Sequence, residues 1–121
     1  MARFRLSALA RADLTRILAT SDERWGVEGR RRYSAMLSAA MRKVAADPAG
    51  RMTRAQPDLS YGVRSFHVRY AHAHVPELKV RNPVHILYYR VAQPGLIEIL
   101  RVLHERMEPS RHVATDFADE D

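Results

Sequence analysis

Residues 84–113 read VHILYYRVAQPGLIEILRVLHERMEPSRHV, and this stretch decides the fold. Two runs rich in apolar and aromatic side chains, residues 84–91 and 96–103, flank the sequence Ala92-Gln93-Pro94-Gly95. Because proline restricts φ to about −65° and glycine accepts positive φ, this gap suits a reversing turn. Two such runs joined by a short glycine-containing loop predict an antiparallel hairpin.

Upstream of the hairpin, the sequence predicts one short strand and two helices. Residues 3–6 alternate polar and apolar side chains, and Ser7 is a typical N-cap for a helix that follows. Residues 8–21 and 27–46 carry apolar stripes at helical spacing, with Gly26 as the break between them. The two helices therefore form a helical hairpin whose stripes need an apolar surface to cover.

Some side chains near this break have predictable surroundings. Arg11, Asp13 and Arg16 lie off the apolar stripe of the first helix, so we expect them to face solvent. Trp25 directly precedes Gly26, and we expect it to pack in the corner between the helices.

A loop, a strand and an insertion connect the helices to the hairpin. Residues 48–61 are rich in proline and glycine and poor in apolar side chains, which predicts a surface loop. Residues 62–70 alternate between polar and apolar side chains, which predicts a strand with one solvent-exposed face. Residues 71–83 predict an inserted β-arm or loop. The order β-α-α-β-β-β, with the helices grouped apart from meandering strands, predicts an α+β fold.

The composition indicates one basic domain followed by an acidic tail. The chain has 121 residues, 20 basic and 14 acidic, and a net charge of +6. Four acids lie in residues 116–121, which leaves +10 on the preceding 115 residues. We assign residues 1–113 to a single domain and 114–121 to the tail. This charge favours an anionic partner, either nucleic acid or an acidic protein segment, although arginine-rich codon usage gives the same composition.

The sequence predicts a cytoplasmic protein without a metal or another cofactor. There is no cysteine, which fits a reducing compartment and excludes disulfides and cysteine ligands. No apolar run approaches the ~18 residues of a membrane span, and the N-terminus lacks a signal-peptide core. His72 and His74 have the spacing of two ligands on one strand face, but no further ligand accompanies them.

Three segments resemble ParE-type toxins of the RelE/ParE toxin–antitoxin superfamily. They are residues 97–112 (IEILRVLHERMEPSRH), 62–66 (GVRSF) and 24–26 (RWG), and the resemblance extends over residues 3–113 apart from the insertion. It implies a bacterial protein with a twisted, mainly antiparallel sheet that carries the two-helix hairpin on one face. It also implies the toxin of a type II toxin–antitoxin system, which binds DNA gyrase and poisons its DNA-cleaved state.

The resemblance makes the basic segment after the hairpin the candidate contact with gyrase. The residues proposed for it are Arg101, His104, Arg106, Arg111 and His112. An ordinary structural role is the alternative: Arg101 would pair with Glu98, and Arg106 with Glu105 or Glu108.

The resemblance also implies a ParD-like antitoxin, whose acidic, amphipathic C-terminal segment folds on binding, and a possible higher-order complex of several toxins and antitoxins. A basic body with apolar grooves suits such a partner. The candidate contacts are Arg11, Arg16, Arg30, Arg31, Arg32, Arg69 and Tyr70.

Ribosome-dependent mRNA cleavage, the activity of RelE-type relatives, is the alternative function. Of five positions expected to carry it, only Arg106 matches clearly; Ser65, His67, Ile86 and His112 replace the rest. An unorthodox site would use Arg64, His67, Arg106 and His112. A third possibility is a non-toxic binding module. We therefore expect a protein that acts by binding rather than catalysis, with no requirement for direct nucleic-acid contact.

Overall fold

The computed structural model describes residues 2–74, 80 and 82–113. One mixed sheet and one long, bent helix make up the fold, with 3₁₀ turns at Val68–His74 and Pro109–Arg111. The elements are β1 (Arg3–Leu6), α1 (Ala8–Ala46), β2 (Arg54–Ala55), β3 (Arg64–His67), β4 (His85–Gln93) and β5 (Leu96–His104). The strand order is β1-β5-β4-β3-β2, in which β1 is parallel to β5 and the other neighbours are antiparallel. The predicted α+β fold is confirmed.

The hairpin predicted from residues 84–103 is present as β4 and β5. Its turn includes Gly95 at φ 79°, a conformation that glycine adopts without a steric penalty. A bulge interrupts the pairing, because Tyr88 pairs with Arg101 while Tyr89 pairs with Ile99. Leu100 is the extra residue, so the side-chain alternation of β5 shifts by one position beyond it.

Helix α1 bends at Gly26, where φ is 73° and ψ is −172°. This conformation is essentially restricted to glycine, which explains why the two predicted helices separate here. The bend divides α1 into a first arm (residues 8–25) and a second arm (residues 27–46). The Ser7 hydroxyl caps the first arm by accepting the N–H of Ala10 at 3.0 Å. Asp47, which precedes Pro48, ends the second arm.

The two faces of the sheet bury different apolar clusters. Both arms of α1 cover one face, where Met36, Leu37 and Val44 pack against Leu87 and Ile99 among others. The opposite face, which we call the open face, buries a smaller cluster. Its members are Leu59, Val63, Tyr88, Leu100, Leu103 and Val113, with Ile86 at its edge.

Four local predictions were wrong. The predicted loop at 48–61 contains β2, and the predicted strand at 62–70 is regular only over Arg64–His67. Asp13 is buried rather than solvent-facing, and Trp25 is 59% exposed rather than packed. The predicted insertion begins with the end of a 3₁₀ turn, while residues 75–79, 81 and the tail at 114–121 lie outside the described residues. Within the described part of the chain, no helix has the length and apolarity to cross a bilayer.

Candidate functional site

The outer edge of β5 is closed by side chains that α1 and its cap supply. β1 pairs with only the first part of β5, up to Ile99. Beyond it the Ser7 hydroxyl donates to the carbonyl of Leu100 at 2.7 Å. The Asp13 carboxylate accepts the N–H of Val102 at 2.9 Å. These bonds satisfy backbone groups that would otherwise lack a partner at a sheet edge.

The same carboxylate holds Arg101 in place. Asp13 accepts from Nε and Nη2 of Arg101 at 2.9 Å each, and from Arg16 at 2.8 Å. The side chain of Asp13 is 1% exposed and that of Arg101 is 11% exposed, against 63% for Arg16. Arg101 was predicted to contact the target, but its guanidinium is engaged between β5 and α1. Among the described residues, Glu98 lies 3.1 Å from Arg90 and 3.4 Å from Arg5, and the alternative pairing of Arg101 with Glu98 is not among the contacts seen there.

A concave surface of about 310 Å³, the kink groove, lies beside the bend of α1. Trp25 and Met107 line it and are 59% and 42% exposed, which is unusual for side chains of this size. Arg16 and Arg24 also line it. The kink groove therefore combines apolar surface with positive charge.

Tyr33, His85 and His104 also line the kink groove. The Tyr33 hydroxyl and Nδ1 of His85 form a hydrogen bond of 2.5 Å, and the His85 and His104 rings meet edge to face. Burial raises the pKa of Tyr33 to about 12. Burial, together with the charge of His104, lowers the pKa of His85 to about 4. Both groups are therefore neutral near neutral pH.

A second concavity, the interhelix groove, has a volume of about 500 Å³ and lies between the two arms of α1. Leu18 lines it from the first arm, and Val27, Arg30 and Arg31 line it from the second. Val27 is 57% exposed. Glu28 lies 3.8 Å from Arg31, a solvated contact that contributes little to stability.

A third concavity, the sheet cleft, occupies about 210 Å³ on the open face. Its lining includes Arg54, Ser65, His67, Arg69, Ile86 and Tyr88. Nε2 of His67 lies 2.6 Å from a carboxylate oxygen of Glu105, and this hydrogen bond lowers the pKa of Glu105. The Arg69 guanidinium stacks over the ring of Tyr70, 4.9 Å from its centroid.

The segment after β5, residues 105–112, forms an exposed basic exit from the sheet. Arg106 and Arg111 are exposed, and His112 is half-buried beside the buried Val113. Within the described residues, Arg106 forms no ion pair with Glu105 or Glu108, so the ordinary structural role considered for it is not observed. Nδ1 of His104 accepts the N–H of Arg106 at 3.0 Å and thereby fixes the start of this segment.

Arg64 and His67, two of the four residues of the alternative RNase site, lie on opposite faces of β3. Arg64 pairs across the sheet with Tyr89, on the face that α1 covers, and donates to the hydroxyl of Thr53 at 2.8 Å. His67 lines the sheet cleft on the open face. Because an odd separation on a strand directs side chains to opposite faces, Arg64 and His67 cannot act on one phosphate.

The residues predicted to contact the antitoxin are distributed over three concave surfaces. Arg16 lines the kink groove, Arg30 and Arg31 line the interhelix groove, and Arg69 and Tyr70 line the sheet cleft. Arg11 and Arg32 are exposed on α1 but are not among the residues that line these grooves. The geometry thus divides one predicted surface into three.

Trp25 and Met107 were missed by the sequence reasoning. The residue type alone predicts burial for both side chains. The position of Trp25 directly before a helix-breaking glycine did indicate that its surroundings are unusual.

No group of three or more potential metal ligands occurs within the described ranges.

Comparison with known proteins places these features in a family. The family model described as "ParE toxin of type II toxin-antitoxin system, parDE" matches residues 4–109. The protein named Toxin ParE1 of Mycobacterium tuberculosis is 33% identical over 111 residues, which cover 92% of this chain and 97% of that relative. The protein of the same name from Caulobacter vibrioides is 34% identical over 113 residues, covering 93% and 99% respectively.

Proposed function

Because this chain belongs to the ParE toxin family of type II toxin–antitoxin systems, we propose that it arrests growth by binding DNA gyrase. The chain is the toxin of such a system and has an antitoxin partner. The proposed action is binding to the DNA-cleaved state of gyrase in the cytoplasm. A ligand that prefers one state of a machine raises the population of that state in proportion to its differential affinity.

The observation that carries this proposal is the separation of Arg64 from His67 on opposite faces of β3. Phosphodiester cleavage needs cations and proton-transfer groups converging within hydrogen-bond reach of one phosphate. The sheet cleft instead contains Ser65 and Ile86 where RelE-type enzymes carry basic side chains. This arrangement favours action by binding.

We propose the basic exit as the surface that meets gyrase. Arg106 and Arg111 are exposed there, and His104 and His112 support the segment from its two ends. Arg101, whose guanidinium pairs with Asp13, is assigned a positioning role at the base of this segment. Exposed arginines are suited to bidentate contacts with carboxylates or DNA phosphates of a cleavage complex.

For the antitoxin, we propose that a ParD-like protein places an acidic amphipathic helix in the interhelix groove. Leu18 and Val27 offer apolar contacts there, beside Arg30 and Arg31. The charges complement an acidic segment, and the apolar side chains provide the burial that drives folding on binding. Two or more such pairs would give a higher-order complex.

The direct test uses the purified toxin in two assays run in parallel. Gyrase with supercoiled DNA should accumulate cleaved DNA in the presence of the toxin, and stoichiometric antitoxin should prevent this. Translating ribosomes programmed with mRNA should show no new 5′ ends. Cleaved mRNA without cleaved DNA would reverse the assignment, and inactivity in both assays would indicate a non-toxic binding module.

One observation favours ribosome-dependent mRNA cleavage as a second candidate. His67 and Glu105 form a contact of 2.6 Å beside the sheet cleft, as a general acid–base pair requires. If this pair acts on RNA, His67→Gln abolishes the new mRNA ends. If gyrase is the target, the same variant retains DNA cleavage.

A further inference from the structure

The kink groove has the size and the apolar lining of a small-molecule site. Its volume of about 310 Å³ lies at the lower end of the range that is typical of ligand pockets, roughly 300–1,000 Å³. Ile17, Val84 and Val102 form part of its wall, together with the indole of Trp25. An apolar wall that includes a large, exposed aromatic surface is suited to a planar apolar ligand.

The position of Trp25 depends on a close approach between the two arms of α1. A Cβ added at Gly29 would lie 2.3 Å from the Cβ of Trp25, which is closer than two side chains tolerate. Any larger residue at position 29 would therefore displace the indole. The fold thus places this ring at the groove while most of its surface stays exposed to solvent.

A buried hydroxyl also lines the kink groove. Ser21 is 3% exposed, and within the described residues its side chain makes no hydrogen bond. The neighbouring Thr20, by contrast, donates to the carbonyl of Arg16 at 3.1 Å. Because buried polar groups nearly always have a hydrogen-bond partner, the Ser21 hydroxyl indicates that a molecule bound in the groove supplies one.

The charged groups that line the kink groove are hydrogen-bond donors. Arg24 is exposed and makes no ion pair with any residue that the structure describes. Arg16 donates one N–H to Asp13, and its side chain is otherwise largely exposed. Nδ1 of His104 accepts the N–H of Arg106, so the ring proton of His104 lies on Nε2. No described residue of the lining is acidic, and the groove therefore complements an anion.

We propose that the kink groove binds a small aromatic carboxylate. Ser21, Arg24 and Trp25 are spaced i, i+3 and i+4 in the first arm of α1, so they lie on one face of the helix. The carboxylate accepts from the guanidinium of Arg24 and from the hydroxyl of Ser21, while the ring of the ligand packs against the indole. A guanidinium is suited to this role, because it can donate two parallel N–H groups to one carboxylate.

A ligand in this position contacts the bend of α1 and the basic exit at the same time. Met107 belongs to the basic exit and lines the kink groove together with Trp25. The occupied groove therefore joins the end of the first arm to the segment that is proposed to meet gyrase. The site goes beyond the proposed function, and its existence does not depend on whether gyrase is the target.

The test is a fluorescence titration of the full-length chain with phenylacetate. Trp25 is the only tryptophan in the sequence, so its emission reports directly on the kink groove. Phenylacetate should change this emission saturably with a Kd of about 1 mM, as expected for a ligand of so few atoms. Phenylacetamide, which has the same shape without the charge, should bind about tenfold more weakly. Acetate, which lacks the ring, should cause no saturable change.

Two variants and a matched control locate the site. Arg24→Gln and Ser21→Ala should each weaken phenylacetate binding about fivefold or more, because each removes a donor to the carboxylate. Arg11→Gln removes an exposed arginine of the same arm outside the groove and should leave the Kd unchanged. Ser21→Ala should also unfold at no lower temperature than the parent chain, since its hydroxyl bonds to no described residue. A purely structural serine would instead lower that temperature.

Nuclear magnetic resonance on the ¹⁵N-labelled chain gives a second readout. Phenylacetate should shift the backbone amide signals of Ser21 and Met107 and leave those of Arg54 and Tyr88, in the sheet cleft, unchanged. The absence of saturable binding, or equal affinities for phenylacetate and phenylacetamide, would overturn the proposal. Equal losses in Arg24→Gln and Arg11→Gln, or shifts confined to the sheet cleft, would overturn it as well.

Discussion

The carboxylate of Asp13 and the guanidinium of Arg101 form two hydrogen bonds of 2.9 Å between residues that are 88 positions apart in sequence. This pair connects the first arm of α1 to β5, at the point where β1 no longer pairs with that strand. It also fixes the strand end from which the basic exit leaves. The pair therefore links the packing of the fold to the placement of the proposed target surface.

We expect Asp13→Asn to lower the free energy of unfolding by about 3 kcal/mol, because it removes the buried carboxylate that accepts two hydrogen bonds from the Arg101 guanidinium. Arg16→Gln is the matched control, since Arg16 contacts the same carboxylate from a largely exposed position. It should cost less than about 1 kcal/mol. Urea denaturation followed by far-ultraviolet circular dichroism measures both values. Equal decreases in the free energy of unfolding would show that the Asp13–Arg101 pair contributes no more to stability than the exposed Asp13–Arg16 pair.

The Asp13–Arg101 pair also shows which features of the fold could be predicted from the sequence and which could not. Two apolar and aromatic runs joined by a Pro-Gly turn predicted the β4–β5 hairpin, because those signals are local. The burial of Asp13 was missed, although Ala10, Asp13 and Ile17 follow helical spacing along one side of the first arm. Its partner Arg101 is distant in sequence. No local sequence pattern identifies a carboxylate that accepts a backbone N–H of β5 beyond the end of β1.

Other features that the sequence did not predict also depend on contacts between residues distant in sequence. β2 contains two residues, and its pairing with β3 depends on tertiary register rather than on a pattern of its own. The gyrase contacts were predicted from the family resemblance, and most of the antitoxin contacts from their positive charge. Their separation into the kink groove, the interhelix groove, the sheet cleft and the basic exit depends on how α1 bends over the sheet, which charge does not encode.

Gly26 should be sensitive to substitution because of its backbone conformation rather than a lack of space. Its φ of 73° and ψ of −172° are strained for any other residue, while an added Cβ would meet no atom within 4 Å. We therefore expect Gly26→Ala to cost about 1–3 kcal/mol from backbone strain alone. The exposed neighbour Val27→Ala is the control and should stay within about 0.5 kcal/mol of the parent chain. Thermal unfolding measures the stability of both variants. A Gly26→Ala protein as stable as the parent chain would contradict the strained conformation at the bend.

His85 predicts a loss of stability in mild acid. Its pKa is about 4 in the folded chain, because burial and His104 disfavour the charged ring, against 6.5 for the free side chain. Between these values the unfolded state binds a proton that the folded state excludes. Stability therefore falls as the pH drops below 6.5, and the full penalty is reached below the folded pKa of about 4.

His85→Gln should remove this dependence, since glutamine also bonds to Tyr33 but does not titrate. Between about pH 7 and pH 5, we expect the parent chain to lose about 2 kcal/mol more than the variant. Urea midpoints at the two pH values measure the difference, and other titrating groups cancel in the comparison. If both proteins lost the same stability between the two pH values, His85 would be protonated as readily in the folded chain as in the unfolded chain.

The last prediction separates the surface proposed for gyrase from the surface proposed for the antitoxin. Arg106 and Arg111 are exposed on the basic exit, whereas Arg30 and Arg31 line the interhelix groove on α1. Arg106→Ala with Arg111→Ala should abolish growth arrest and gyrase-dependent DNA cleavage, because contacts to a charged group contribute about 1.5–3 kcal/mol each. Its affinity for the antitoxin should change less than threefold.

Arg30→Ala with Arg31→Ala is the reciprocal control, with the same loss of two charges on exposed helical positions. It should weaken antitoxin binding at least tenfold, as measured by calorimetry, and leave gyrase poisoning intact, so cells carrying it should escape neutralisation. If both double variants lose both activities, the two partners share one surface. If the variant of the basic exit stays fully toxic, that segment has no part in arresting growth, and the search for the target surface moves to the kink groove around Trp25.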